Sequence, residues 1–343
     1  MSSKLSFLLS PLFFISCVSV STYNIQVLEP APEPLTPEIK SVLLLNRMIL
    51  EENYDEKPYG NLAGDELFHG LFNMATTETL FALAGILNES PGMDYLDDEA
   101  LLEMPLTGPL TVPGLLDGGF VAGLCDSLGA DALISLAFLQ VDYKDSITRK
   151  QGVMETRWIP YYEGELNLII SAVWRAYEGS QGNLNDEFVF ADTMYWSHAA
   201  FSVQEIADYF PTIDEAFLEA AFFSALSYAR RIAPYWREEQ RSYFSRGNRG
   251  IKRASNYLEN DMPDPAETIL ADLTGSRNEN IVAAAYCNLA LIYEIRGDYV
   301  QALKLARKSF QSRRHPVTES YIEILEERLE KSKVLDRQLG RAN

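Results

Sequence analysis

The chain has 343 residues and a formal net charge of −20, with 47% hydrophobic and 23% charged residues. That length has room for two domains, and that composition excludes a disordered or collagen-like chain. Residues 18–229 hold 8 Lys/Arg against 33 Asp/Glu, whereas residues 230–343 hold 20 against 16; the first part is therefore a poor nucleic-acid surface, because phosphate binding needs cations, and the asymmetry points to two domains.

Lys4 is the first charge, and residues 5–15 are apolar apart from Ser6, Ser10 and Pro11. The run is much shorter than the ~20 residues of a membrane span. One cation followed by a short apolar run is the layout of a secretory signal. It ends in Phe14-Ile15-Ser16-Cys17, which resembles the lipobox of bacterial lipoproteins, with Phe14 where that pattern prefers Leu. The resemblance implies a signal peptide over residues 1–16, an acylated Cys17 and a membrane-tethered partner surface. Several acyl chains anchor stably where one does not. The alternative is an ordinary signal peptide with an incidental Cys17. Residues 17–40 carry Pro30, Pro32, Pro34 and Pro37 and are expected as an extended tether, with strand-like alternation over 23–28. No acidic cluster directly follows Cys17, so the expected location is the periplasmic face of the outer membrane.

Residues 41–232 are expected to form an α/β domain. Residues 41–47 are nearly continuously apolar, as in strands buried on both faces. Residues 76–87 have helical spacing, with Leu80, Leu83, Ala84 and Leu87 on one side, and residues 88–92 break it. Asp117 is placed to cap a helix burying Phe120, Val121, Leu124 and Leu128, with Gly129 as its stop. Residues 131–141, 166–175 and 188–196 are β-branched, aromatic and apolar enough for strands. Two helices should close the domain, because Ser202 with Glu205 and Thr212 with Glu215 have capping-box spacing. The strand ending in Asn46-Arg47, a helix, and Leu128-Gly129-Ala130-Asp131-Ala132-Leu133-Ile134 leading into a strand are similar to the periplasmic N-terminal domains of the TolB and curli-secretion CsgG type. That resemblance implies a layered α/β fold and no catalytic residue.

Residues 233–338 are expected to be all helical. Residues 251–258 read as one helix, and Asp264-Pro265-Ala266-Glu267 as the capped start of the next. Leu289, Ala290, Tyr293, Gly297, Asp298, Tyr299 and Ala302 resemble a tetratricopeptide repeat, with large, small and aromatic residues, a Gly-Asp-Tyr turn and a small residue beyond. Ala266 and Ala302 are separated by close to the ~34-residue period of that class. Residues 318–338 supply a terminal helix. The arrangement as a whole resembles a family of Bacteroidota lipoproteins, which implies architecture and location and no activity.

No motif for a cofactor, metal or catalytic nucleophile stands out. His69, His198 and His315 have no ligand spacing, and no Gly-x-Ser-x-Gly elbow is present. Asp94, Asp97, Asp98 and Glu99 read as a solvated acidic loop. Cys125 and Cys287 read as buried thiols. The most pointed feature is basic: Arg230, Arg231, Arg237, Arg241, Arg246, Arg249, Lys252 and Arg253, interleaved with Tyr235, Trp236, Tyr243 and Phe244. These cations either bind an anion or an acidic partner, or pair with carboxylates of the chain itself. The expected function is a non-catalytic envelope scaffold that binds a protein segment. A small-molecule or glycan site in the α/β domain, or a place in an oligomeric export device, are the alternatives.

Overall fold

The computed structural model describes residues 19–51, 54, 65–94, 100–154 and 156–341. The signal peptide, Cys17 and the acidic residues Asp97, Asp98 and Glu99 lie outside them. The chain divides into two compact units, Leu28–Trp236 with Val334–Asn343, and Met1–Val27 with Arg237–Lys333.

Strand β1 (Val20–Glu29) opens the described chain. The α/β unit then runs β2 (Val42–Ile49), α1 (Asp65–Asn88), β3 (Leu101–Pro105), α2 (Gly118–Leu128), β4 (Ala132–Met154), β5 (Arg157–Glu178), β6 (Leu184–Ala200), α3 (Val203–Tyr209) and α4 (Ile213–Ile232). Its five-stranded sheet has the order β3-β2-β4-β5-β6. β2 runs parallel to β3 and β4, and β4, β5 and β6 are antiparallel in turn.

The apolar run of β2 follows from this placement. Leu44 and Met48 join the core formed with α1 and α4, while Leu43 and Leu45 pack with Val121 and Cys125 of α2 on the opposite face. Leu166, Leu168, Ile170, Ala172 and Trp174 all face the interior. Trp174 stacks on Tyr228 with ring centroids 5.2 Å apart, and its indole N–H donates to Ser224 Oγ at 2.8 Å. Residues 69–88 of α1 are long and apolar enough to cross a membrane, but Phe72, Leu80, Leu83 and Leu87 are buried in the core of this unit.

Several expectations change. The 17–40 stretch is not a loose spacer where it is described: Ala31, Leu35 and Ile39 are buried, and the backbone N–H groups of Glu33 and Leu35 donate to the carbonyls of Arg231 and Ile232. Asp117 caps α2 by accepting from the Phe120 N–H at 2.9 Å, and Gly129 closes it at φ 69°. The buried side of α2 is Val121 and Cys125, whereas Phe120 and Leu128 are exposed. Thr212 and Glu215 form the full capping box. Glu205 instead accepts from the Phe201 N–H, one residue before the cap.

The second unit holds most of β7 (Tyr235–Phe244), which pairs with β1, followed by α5 (Arg249–Glu259), α6 (Pro263–Leu273), α7 (Glu279–Ile295), α8 (Tyr299–Ser312) and the larger part of α9 (Pro316–Gln338). Consecutive helices pack as neighbours from α5 to α8. The core joins Ile25 and Val27 of β1, Tyr243 and Phe244 of β7, and the inner faces of the helices. Asp264 is not the cap of α6. That helix starts at Pro263 without a side-chain cap, and Asp264 pairs with Arg296 at 2.6 Å.

Candidate functional site

The basic segment singled out in the sequence spreads over four settings. Arg230 lies over the Tyr235 ring at 5.1 Å. Arg231 forms an ion pair with Asp186 at 2.8 Å, in the α/β unit. Arg237 and Arg241 lie on β7. Arg246, Arg249, Lys252 and Arg253 gather just before and within the first turns of α5, all exposed.

β7 is a strand that the sequence hides behind its charges. Alternation places Arg241 and Tyr243 toward the helices, where Arg241 is only 3% exposed. Its guanidinium Nε donates to both Glu294 oxygens at 2.9 and 3.1 Å, and a second nitrogen meets Glu239 at 2.6 Å. Tyr321 donates to Glu294 Oε2 at 2.6 Å. Burial works against the charge of Glu239, but the hydrogen bonds from Arg241 and Arg237 outweigh it and hold its carboxyl below the usual range. Burial, then Glu294, pushes the Tyr321 phenol well up. The Tyr321 phenol is therefore a fixed donor, and the charges satisfy one another.

Nearly two helical turns away on α7, the Asn288 amide pairs with the backbone of Phe244 in both directions, at 2.8 Å each. His315 packs edge-on against Phe244 with centroids 5.1 Å apart. Burial, then the nearby Arg313, holds its imidazole below the ordinary range. The inner face of α7 is therefore covered by the chain's own strand.

The residues of the Gly-Asp-Tyr pattern fall at the α7–α8 corner. Leu289, Ala290 and Ala302 are buried. Gly297 adopts φ 78°, a left-handed conformation that glycine takes cheaply. Asp298 accepts from the Gln301 N–H at 2.9 Å and caps α8. Tyr299 lies under the Arg328 guanidinium at 5.7 Å. Tyr293 is half-buried and donates to Glu267 of α6 at 2.9 Å. Arg296 then joins Glu267 and Asp264, tying α7 to α6.

In the α/β unit, a cleft of about 800 Å³ is lined by Asp126, Asp131, Glu178, Ser180, Asn183 and Asn185. The Asp131 carboxylate already accepts from Ser41 N–H, Ser41 Oγ and Lys40 N–H, each at 3.0 Å. These bonds, that of the Ser41 backbone first, lower its pKa. Among the described residues no three His, Cys, Asp or Glu side chains converge as a metal site. His198 stacks on Tyr209 at 3.9 Å. Cys125 and Cys287 are buried and free.

The fold therefore comprises an α/β unit with a mixed sheet and a mostly helical unit that also holds a two-stranded sheet. The chain belongs to the family described as a domain of unknown function, DUF8603, which it matches over residues 39–244. Residues 252–327 match a second domain of unknown function, DUF6340. Among solved structures it is similar to the hypothetical protein CT253 from Chlamydia trachomatis, at 9% identity, over 56% of this chain and 96% of that one, with a TM-score of 0.17. No curated protein matches.

Proposed function

We propose that this protein is a non-catalytic interaction module of the bacterial cell envelope, tethered to the outer membrane through an acylated Cys17 and facing the periplasm. The observation that carries the reading is the helical unit. Helices α5 to α8 pack in succession, and their second pair turns at Gly297-Asp298-Tyr299 with small residues at the helix contact. This is a tetratricopeptide-like stack, an architecture whose extended faces hold other chains.

Its partner surface is not the inner face of α7, which β7 occupies. It is the exposed basic start of α5. Arg241 is neutralised by the buried Glu294 and by Glu239, whereas Arg246, Arg249, Lys252 and Arg253 face solvent. Four cations at a helix N-terminus oppose the helix dipole, so they cost local stability and suit an acidic protein segment.

Cross-linking in native envelopes tests this. A partner captured by the wild type and lost when these four residues are changed to Glu supports the reading. Unchanged capture removes the surface, and a soluble, unacylated wild type removes the tether.

A further inference from the structure

The β4–β5 ribbon outruns its sheet. β6 pairs with β5 only from Tyr162 to Tyr177, and β2 pairs with β4 only from Ala132 to Leu136. Residues 150–154 and 157–161 therefore pair as two strands alone. At ~3.4 Å per residue they project by roughly 17 Å. Val153 and Trp158 face each other near the end, 60% and 71% exposed. Trp158 is the most exposed large apolar side chain among the described residues.

Charge singles out the same ribbon. Residues 144–157 hold four of the eight Lys/Arg of residues 18–229 (Lys144, Arg149, Lys150 and Arg157) against two carboxylates, Asp145 and Glu155, a local excess of positive charge in an otherwise acidic unit. Arg149 stands opposite Tyr162, and Lys150 opposite Tyr161. Lys150 is held by Glu163, which also accepts from the Tyr161 hydroxyl at 2.9 Å. Lys144, Arg149 and Arg157 are exposed. The apolar pair shares one face of the ribbon with Arg149 and Tyr162, while Arg157 stands one pair nearer the turn on the other face, a mix of apolar, aromatic and cationic side chains that suits a bilayer interface. The apolar pair meets the acyl boundary, aromatic rings lie at headgroup level, and cations meet phosphate. The rest of the unit is strongly acidic, so an anionic membrane repels it and attracts only the ribbon.

We propose that the tip of the β4–β5 ribbon, through Val153, Trp158, Arg149 and Arg157, docks on the anionic headgroup surface of a lipid bilayer. This contact is separate from the acyl tether, and it holds or fails without Cys17.

The test uses the full chain carrying Cys17→Ala and Val153→Cys, labelled at the new thiol with an environment-sensitive fluorophore. The other two thiols are buried. A blue shift is expected on mixed phosphatidylcholine and phosphatidylglycerol vesicles, but not on phosphatidylcholine alone. Arg149→Gln with Arg157→Gln should raise the lipid needed by about tenfold, since each cation near such a surface contributes to binding. Arg246→Gln with Arg249→Gln, the same charge change on the helical unit, should leave the shift intact. No shift on either vesicle, or an equal shift on both, overturns the proposal. So does a shift that grows with protein concentration in the absence of lipid, which would make the tip a contact between copies.

Discussion

The Asn288 side chain holds Phe244 as a neighbouring strand would, its Nδ2 donating to the Phe244 carbonyl and its Oδ1 accepting from the Phe244 N–H, at 2.8 Å each. Asn288 is fully buried, so Asn288→Ala leaves two buried backbone groups without partners. Each unsatisfied group costs ~1–3 kcal/mol, so the helical unit is expected to lose roughly 2–6 kcal/mol. Urea unfolding followed through that unit checks this, and an unchanged midpoint would show that water replaces the amide freely.

Arg241 and Glu294 give a second, coupled pair of substitutions. Removing one partner of a buried ion pair costs ~3–5 kcal/mol, because the other charge is left behind, while replacing both by apolar groups is often close to neutral. Arg241→Met alone should therefore destabilise more than Arg241→Met with Glu294→Leu, which restores part of the loss. A double-mutant cycle on unfolding free energies measures it, and simple additivity would sink the account.

These two contacts also mark the limit of what the sequence shows. Strands with apolar alternation, such as residues 166–175, are legible because one face is buried. β7 is not, because Arg237, Glu238, Glu239 and Arg241 look like a solvated charge run, and only Glu294 and Asn288, more than forty positions away, make a buried place for it. The polar half of β4 is hidden for the opposite reason, since the ribbon beyond its sheet has no buried face to impose a pattern. Local chemistry was legible where it was complete within a few residues: the Asp117 and Thr212 caps and the Gly129 stop. The inference from Asp264 failed because its carboxylate goes to Arg296, on another helix.

Asp131 makes stability depend on acid. Its carboxylate accepts from the Ser41 and Lys40 backbones, and its folded pKa is lowered. A carboxyl depressed on folding adds stability above its unfolded pKa of ~3.9, and that contribution is lost as pH falls through the folded value. Asp131→Asn should therefore be less stable than wild type at neutral pH, with the gap closing in strong acid. Denaturant unfolding across that range checks the sign, and a gap that widens toward low pH would contradict it.

Burial pushes the Cys287 thiol up to about 12 and raises that of Cys125. Only the thiolate reacts, so in a Cys17→Ala chain neither thiol should react with a disulfide reagent at mildly alkaline pH. Both should react once denaturant is added. Rapid labelling of the native chain at either position would mean that its core opens locally.

Two glycines of the α/β unit should respond with opposite signs. Gly182, in the loop between β5 and β6, has φ +69°, and a Cβ there would lie 2.2 Å from the Gly118 carbonyl oxygen, at the start of α2. Backbone cannot yield as a flexible side chain does, so Gly182→Ala should cost at least ~1–3 kcal/mol in strain and overpacking. Gly123 lies within α2, and a Cβ there meets nothing within 4 Å. Gly123→Ala should therefore stabilise by roughly 0.5–1 kcal/mol, since alanine loses less entropy in a helix. Thermal unfolding of the two variants beside wild type measures both. If Gly182→Ala were neutral, the loop would not be pressed against α2, and the turn that sets the register of β6 against β5 would have to be held by the strands alone.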